Sequence, residues 1–396
     1  MLSLRNSEGQ IMERRKILII GMFDSIHLAR WLSQFTDEKI NFLLFPSKKF
    51  RYIHPELNTL IQSNNVCTFS FAKPYFFQKY IGFIDYLLNT ILRKIGINFK
   101  RILLIKVLEK NNFEYVHAIE MQGAGYLYAS LPNQLVEKNK LIITNYGSDI
   151  FYYSNVADHK NKVSSVLTLA KYYSGECQRD YELALRMGFN GKLLPCIPNA
   201  GGFKREIFAL NVIPSDNRNL LVAKCYGGEF GLGKLVIRAL HDFLPNKNDI
   251  QVLLYSVTDD LLNEAIALQR KFSEQIQLFK IRDAIDRLDF LKYFASARIY
   301  LGASKSDGIS TAFLEALCLG AYPIQTNTSC ANDWLNIGFN GSIIEPTLSA
   351  ILETLEMINK EIDLDVKRLS NLNLAQNYLS FDSIKSQALK FYEVNV

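Results

Sequence analysis

A strand–helix alternation that runs twice, with a Gly-containing break between the runs, constrains this chain more than any other feature. In the first run, Lys16 to Ile20, Asn41 to Phe45, Val66 to Phe71, Tyr115 to Ala118 and Leu141 to Thr144 are short apolar stretches separated by helical or polar segments. Stretches this short and this uniformly apolar suit parallel strands buried on both faces. Ser25 is placed to cap a helix over Ile26 to Phe35. A long helical region opens at Pro74 and reaches about Lys110, and Cys177 to Met187 is helical up to Gly188. Lys192 to Cys196 reads as a strand, while the type of Lys162 to Tyr173 stays open. The break is Ile197-Pro-Asn-Ala-Gly-Gly-Phe203, a run of turn formers.

The second run repeats the pattern. Leu220 to Lys224, Gln251 to Ser256, Arg298 to Gly302, Ala321 to Gln325 and Ser342 to Glu345 read as strands. Lys234 to Leu244, Leu261 to Phe272, Ala284 to Ala295 and Thr311 to Leu319 read as helices. Alternation of this kind implies an α/β chain of two doubly wound parallel-sheet, Rossmann-like domains. We expect the first over residues 14–200 and the second over 201–378. A C-terminal helix over 379–396 is expected to pack back toward the first. The 396 residues suit two domains of ordinary size. Ligands of such sheets bind beyond the C-terminal ends of the strands.

Composition excludes several classes. Hydrophobic residues make up 48% and charged residues 21%, which argues against a disordered chain. The six cysteines (Cys67, Cys177, Cys196, Cys225, Cys318 and Cys330) form no CxxC pair. That argues against a zinc ribbon or a disulfide scaffold and fits a reducing cytoplasm. Met1 to Arg15 lacks the apolar core of a signal peptide, and no apolar run is long enough to span a bilayer. The net charge of +6 is matched by one segment, Ser70 to Leu108. It carries Lys73, Lys79, Arg93, Lys94, Lys100, Arg101 and Lys106 against Asp85 alone, interleaved with eight aromatic residues. Such a mixture suits either an ordinary helix pair with a solvated basic face or an anionic membrane surface. Nucleic acid is not expected as a partner, because no nucleic-acid module is recognisable. The expected location is cytoplasmic, with peripheral attachment to the inner face of the cell membrane.

Ser304 to Thr326, SKSDGISTAFLEALCLGAYPIQT, is the stretch with the clearest chemistry. Gly308, Ile309 and Ser310 read as a tight loop that feeds the helix from Thr311, and Gly320 ends that helix. A loop entering a helix N-terminus offers backbone N–H groups and the positive end of the helix dipole, which suits phosphate. Glu315 falls about one turn inside the helix, where a carboxylate can accept hydrogen bonds from ribose hydroxyls. Seven residues separate Asp307 from Glu315.

That pattern is similar to the Glu-x7-Glu signature of family 4 retaining glycosyltransferases, enzymes with the GT-B fold found in bacterial polysaccharide or lipopolysaccharide assembly. Asp307 departs from it by one methylene. Further segments resemble the same family. Pro198 to Phe203 is similar to the turn that opens its second domain, and Asn340-Gly341-Ser342 to the segment after its nucleotide-binding helix. Asn145-Tyr146-Gly147-Ser148-Asp149 is similar to a first-domain loop in which Tyr146 replaces the usual His. The resemblance implies two Rossmann-like domains facing a cleft, a nucleotide-sugar donor on the second and a glycan or lipid-linked acceptor on the first. It places Asp307, Tyr146 and Lys224 at the reacting centre. Gly308, Ile309, Ser310, Thr311, Glu315, Lys224 and Lys234 would bind the donor, with the lysines neutralising the diphosphate. Gly21, His27, His117 and Asp149 are the acceptor-side candidates. Neither a metal nor a cofactor is expected. Two other readings stay open: an inverting GT-B enzyme with His27 or His117 as general base, and a nucleotide-sugar or glycan-binding protein without turnover.

Overall fold

A computed structural model of the protein describes residues 15–62, 66–68, 86–87, 90–92, 98–210, 218–361 and 364–392. The chain divides into two compact units. The first contains residues up to Gly175, Asp180–Gly201 and Lys385 onward. The second contains Gly202–Ile384 together with the short segment Glu176–Arg179.

The sheet of the first unit has seven strands: β1 (Arg15–Gly21), β2 (Ile40–Pro46), β3 (Val66–Thr68), β4 (Tyr115–Ile119), β5 (Leu141–Thr144), β6 (Tyr172–Ser174) and β7 (Lys192–Leu193). They lie in the order β3-β2-β1-β4-β5-β6-β7, and every pair is parallel. The central strands are buried along their length, as their unbroken apolar runs require. Ser25 caps the first helix as its position predicts, its Oγ accepting the His27 N–H at 3.2 Å.

The second unit has six strands: β8 (Leu220–Lys224), β9 (Gln251–Val257), β10 (Ile276–Lys280), β11 (Ala297–Gly302), β12 (Tyr322–Thr326) and β13 (Ser342–Ile344). Their order is β10-β9-β8-β11-β12-β13, again all parallel. The order reverses between β8 and β11. In open α/β sheets the loops leaving such a switch point frame the ligand crevice. Both units therefore have the expected doubly wound architecture.

Several sequence expectations need correction. β10 is absent from the sequence reading, because Ile276-Gln-Leu-Phe-Lys280 alternates apolar and polar residues at a sheet edge rather than forming a uniform apolar run. Lys192 to Cys196 contributes only the two paired residues of β7. The undecided Lys162 to Tyr173 splits between a helix (Ala157–Leu169) and the start of β6. Of the region opened by Pro74, the part from Phe99 to Lys110 is helical and most of the remainder lies outside the described residues.

One buried cation organises the second unit. Arg218 is 3% exposed and donates to the carbonyls of Ala295, Ala297 and Gly320, each at 2.6 Å. Ala295 lies in the last turn of the Arg287–Ser296 helix, and Gly320 is the left-handed cap (φ 73°) of the Thr311–Leu319 helix. The guanidinium thus satisfies carbonyls at the negative ends of two helices at once. Burial pulls its pKa down to about 10, so it stays charged at neutral pH. Arg218→Met fills similar volume but orphans these carbonyls. It should lower the stability of this unit by about 3 kcal/mol or more, read as a shift of the urea midpoint.

Candidate active site

The loops leaving the switch point of the second unit are tied together. Gly231 and Ser304 form an isolated bridge, Lys305 N–H donates to Phe230 O at 2.7 Å, and Leu232 N–H donates to Ala303 O at 3.4 Å. A Cβ on Gly231 would fall 2.0 Å from Tyr226 O, so the loop closes this tightly only with glycine. The N–H groups of Gly227 and Gly228 are taken by Thr258 Oγ1 (2.9 Å) and Asp260 Oδ2 (3.3 Å). The Gly-rich segment after β8 is therefore bound to side chains of the loop after β9, which take the N–H groups of Gly227 and Gly228.

The segment after β11 is different. Ser310 occupies the cap position of the Thr311–Leu319 helix, yet its side chain makes no capping hydrogen bond. The first turn has no acidic residue. Its N–H groups and dipole thus meet a position suited to an anion. Residues Ala312 to Leu319 are all buried, which explains why the helix reads as a nearly continuous apolar run. Glu315 is its only charged residue, 3% exposed, with Oε1 2.5 Å from Arg287 Nη2. A carboxylate in so apolar a helix needs such a partner. Arg287 escaped the sequence reading because nothing in its spacing links it to Glu315.

Asp307 is half-buried. Its N–H donates to Thr328 O at 3.1 Å, and its own carbonyl accepts from Arg179 Nη2 at 2.9 Å. Burial pushes its carboxyl pKa up, and this is opposed by Lys224, the Gly308 N–H and Arg179. Lys224 ends β8 with its Nζ 4.7 Å from the centre of the Tyr226 ring. Lys234 points elsewhere, into an exposed pair with Glu264 at 3.0 Å. Gly308, Ile309 and Ser310 are buried and Thr311 is half-buried. Ile309 N–H donates to Glu176 Oε2 at 3.3 Å, and Gly308 O accepts from Cys330 N–H at 2.8 Å. Cys330 is joined to Cys177 by a disulfide across 153 residues of sequence. Sequence spacing carries no information about partners so distant.

In the first unit, Gly21 ends β1 and its carbonyl accepts from Ser47 N–H at 2.9 Å. The His27 ring lies 5.5 Å from the Tyr146 ring. Asp149 Oδ2 accepts from Met121 N–H (2.9 Å) and Tyr146 N–H (3.1 Å), tying together the loops after β4 and β5. Glu120 adopts a positive φ of 86° and caps the following turn through the N–H groups of Gly123 and Ala124. Burial beside Glu120 lifts the Asp149 pKa to about 7. His117 is removed from the acceptor-side candidates and from the general-base role. It is fully buried in the sheet, with Nδ1 2.8 Å from Tyr392 Oη and Nε2 2.8 Å from Thr144 Oγ1. Of the basic segment, Lys100 is buried near the Phe50 ring and Arg101 donates to Ser130 O at 2.6 Å, while Lys106 is exposed. Lys73, Lys79, Arg93 and Lys94 lie outside the described residues.

No family model and no curated protein matches the chain. Solved structures do match its fold. Anabaena HepE in complex with UDP and glucose aligns at 13% identity with a TM-score of 0.64, covering 96% of this chain and 100% of its own. A glycosyltransferase from Rickettsia africae gives 13% and 0.63, with 96% and 98% covered. Sucrose-phosphate synthase from Thermosynechococcus elongatus gives 13% and 0.65, with 96% and 99% covered. These similarities span both units and establish the GT-B fold.

Burial depresses the His117 pKa from 6.5 to about 3. Its neutral form therefore contributes stability that is fully present above the unfolded pKa and is lost as pH falls toward the folded one. At about pH 5 the loss is about 2 kcal/mol relative to neutral pH. His117→Gln should remove this part of the acid sensitivity, measured as the difference between urea midpoints at the two pH values.

Proposed function

We propose that the protein is a glycosyltransferase that takes a sugar from a nucleotide-sugar donor held by its second unit. The observation carrying this reading is the uncapped N-terminus of the Thr311–Leu319 helix. It lies beside the β8/β11 switch point, with buried Glu315 inside the helix and Lys224 at the end of the neighbouring strand. The helix N-terminus would receive the diphosphate through the Gly308–Thr311 segment, of which Ile309 N–H is already held by Glu176, and Glu315 would accept from the ribose. Lys224 would meet the charge that builds on the leaving diphosphate, a group positioned for transition-state stabilisation. Asp307 would contact the transferred sugar. The solved structures of HepE with UDP and with UDP-glucose support a donor of this class.

The finer assignment follows the motif resemblance. It is a family 4 enzyme that transfers with retention, uses protein cations rather than a metal to neutralise the diphosphate, and requires no cofactor. The acceptor would be a glycan or a lipid-linked sugar at the first unit, where the loop from Tyr146 to Asp149 is the candidate contact. Polysaccharide or lipopolysaccharide assembly is the setting we assign. We further assign a cytoplasmic location, with docking on an anionic membrane surface through residues 70–108. No helix among the described residues is long and apolar enough to cross a membrane.

A ligand that binds only the folded state must raise the unfolding temperature. UDP, GDP and ADP should therefore separate in a thermal-shift assay, one of them stabilising the protein. Glu315→Ala and Lys224→Ala should each weaken that nucleotide about 10-fold or more. EDTA should leave both binding and sugar transfer unchanged. If none of the three nucleotides shifts the transition, the donor site is wrongly assigned.

A further inference from the structure

The first unit holds a pair of exposed cations that the proposed donor site does not use. They sit on the loop after β2, whose backbone is anchored. Ser47 N–H donates to Gly21 O and His54 N–H to Phe23 O, each at 2.9 Å, and the buried Phe50 ring lies 5.1 Å from the Phe23 ring. Lys49 and Arg51 flank Phe50, and both are exposed. They converge on one ring. Lys49 Nζ lies 4.5 Å and the Arg51 guanidinium carbon 4.7 Å from the centre of Tyr86, and Arg51 Nη2 donates to Tyr86 Oη at 3.3 Å. Neither cation is paired with a carboxylate among the described residues. Lys48 is different: its Nζ lies 3.3 Å from Glu120 Oε2 and 3.5 Å from Met22 Sδ. The loop therefore meets the segments that follow β1 and β4, between which the strand order of this sheet reverses.

We propose that Lys49 and Arg51 bind a phosphate of the acceptor, so that the acceptor is a phosphorylated sugar or a sugar carried on a phosphate rather than a neutral glycan. The inference rests on the glycosyltransferase reading above, which gives the first unit the acceptor. Two like charges gathered on one ring repel each other, and the ring face offsets only part of that repulsion. The hydrogen bond from Arg51 and the charge of Lys49 hold the Tyr86 phenol below its ordinary pKa, the effect of a positive field that no acid cancels. A phosphate cancels it. Arg51 offers a planar fork that matches two phosphate oxygens, and Lys49 adds a point charge on a flexible stem. Both side chains face solvent, so a phosphate reaches them without displacing a buried group. The anchored backbone limits the ordering that binding must cost. A neutral glycan gains nothing from either charge, so the pair selects by charge.

Titration of the full chain, labelled with carbon-13 tyrosine and with the Tyr86 signal assigned through Tyr86→Phe, reads this site apart from the donor site. Glucose 1-phosphate should move the Tyr86 signal and raise the pKa of its phenol, because a bound anion neutralises the cations. Methyl glucoside should leave the signal in place. The double variant Lys49→Gln, Arg51→Gln should weaken the glucose 1-phosphate affinity read at Tyr86 about 10-fold or more. Its melting temperature and its affinity for the stabilising nucleotide should be unchanged. Absence of a Tyr86 response to glucose 1-phosphate, or an affinity unchanged in the double variant, overturns the proposal. Vesicles of phosphatidylglycerol and phosphatidylcholine identify the other source of phosphate. If they bind through Lys49 and Arg51 while glucose 1-phosphate does not, the pair contacts a lipid headgroup and the acceptor assignment falls. A chain that binds glucose 1-phosphate at Tyr86 but no nucleotide overturns the donor-site reading, and with it the description of this phosphate as the acceptor's.

Discussion

The contact on which the geometry of the second unit's switch-point loops depends is the burial of one guanidinium under two helix ends. Arg218 collects carbonyls from the end of the Arg287–Ser296 helix, the start of β11 and the cap of the Thr311–Leu319 helix. A buried cation is costly unless its hydrogen bonds are made, and here three short ones reach the negative poles of helix dipoles. The consequence appears at the opposite ends of the same helices. One carries the uncapped N-terminus at Ser310, and the other begins with Arg287, which reaches Glu315. Fixing both helices from their C-terminal ends holds Arg287 against Glu315 and places the uncapped turn relative to that pair. The site can then be preorganised without relying on its own loop.

The sheet supplies the second half of that preorganisation. Because the strand order reverses between β8 and β11, their following loops leave the sheet edge side by side without a helix between them. The backbone links from Phe230 to Lys305 and from Leu232 to Ala303 then close one loop on the other. Lys224 and Asp307 reach the same small region by this route, although more than eighty residues lie between them in sequence. Their proximity is expressed in the opposing effects on Asp307, which burial pushes toward its neutral form and Lys224 pulls toward its charged one.

How much of this was legible in the sequence follows from how local each signal is. The Thr311–Leu319 helix was read to the residue, since an apolar run bounded by Ser310 and by a glycine that adopts φ 73° leaves little freedom. Most strands buried on both faces are legible for the same reason, whereas the short β6 and the alternating edge strand β10 are not. The site was visible where it lies on one continuous segment and invisible where it depends on contact order. Arg287, Glu176 and Arg179 bear on that segment from elsewhere in the chain, and no periodicity announces them. His117 shows the converse error. Its place on a strand suggested a functional edge, but the tyrosine that encloses it, Tyr392, comes from the far end of the chain. A sequence pattern places a residue on an element; only the packing decides whether that residue meets solvent.

Charge balance around the loop after β11 bears on the proposed diphosphate site, because Asp307, Glu315 and Glu176 all approach that segment. Glu315 is matched by Arg287, and Arg179 lies against Asp307 and donates to its carbonyl. Lys224 rests over the Tyr226 ring rather than in a salt bridge with a described carboxylate. Between two half-buried groups such a cation–π contact is worth about 0.5–2 kcal/mol. In the proposed donor site, Lys224 would turn toward a diphosphate at modest cost, while the arginines stay committed to the loop and the buried acid. That division of labour makes the lysine the responsive charge of the site and the arginines its frame. It also accounts for a lysine at the strand end, where a compact point charge on a flexible stem serves better than a second rigid fork.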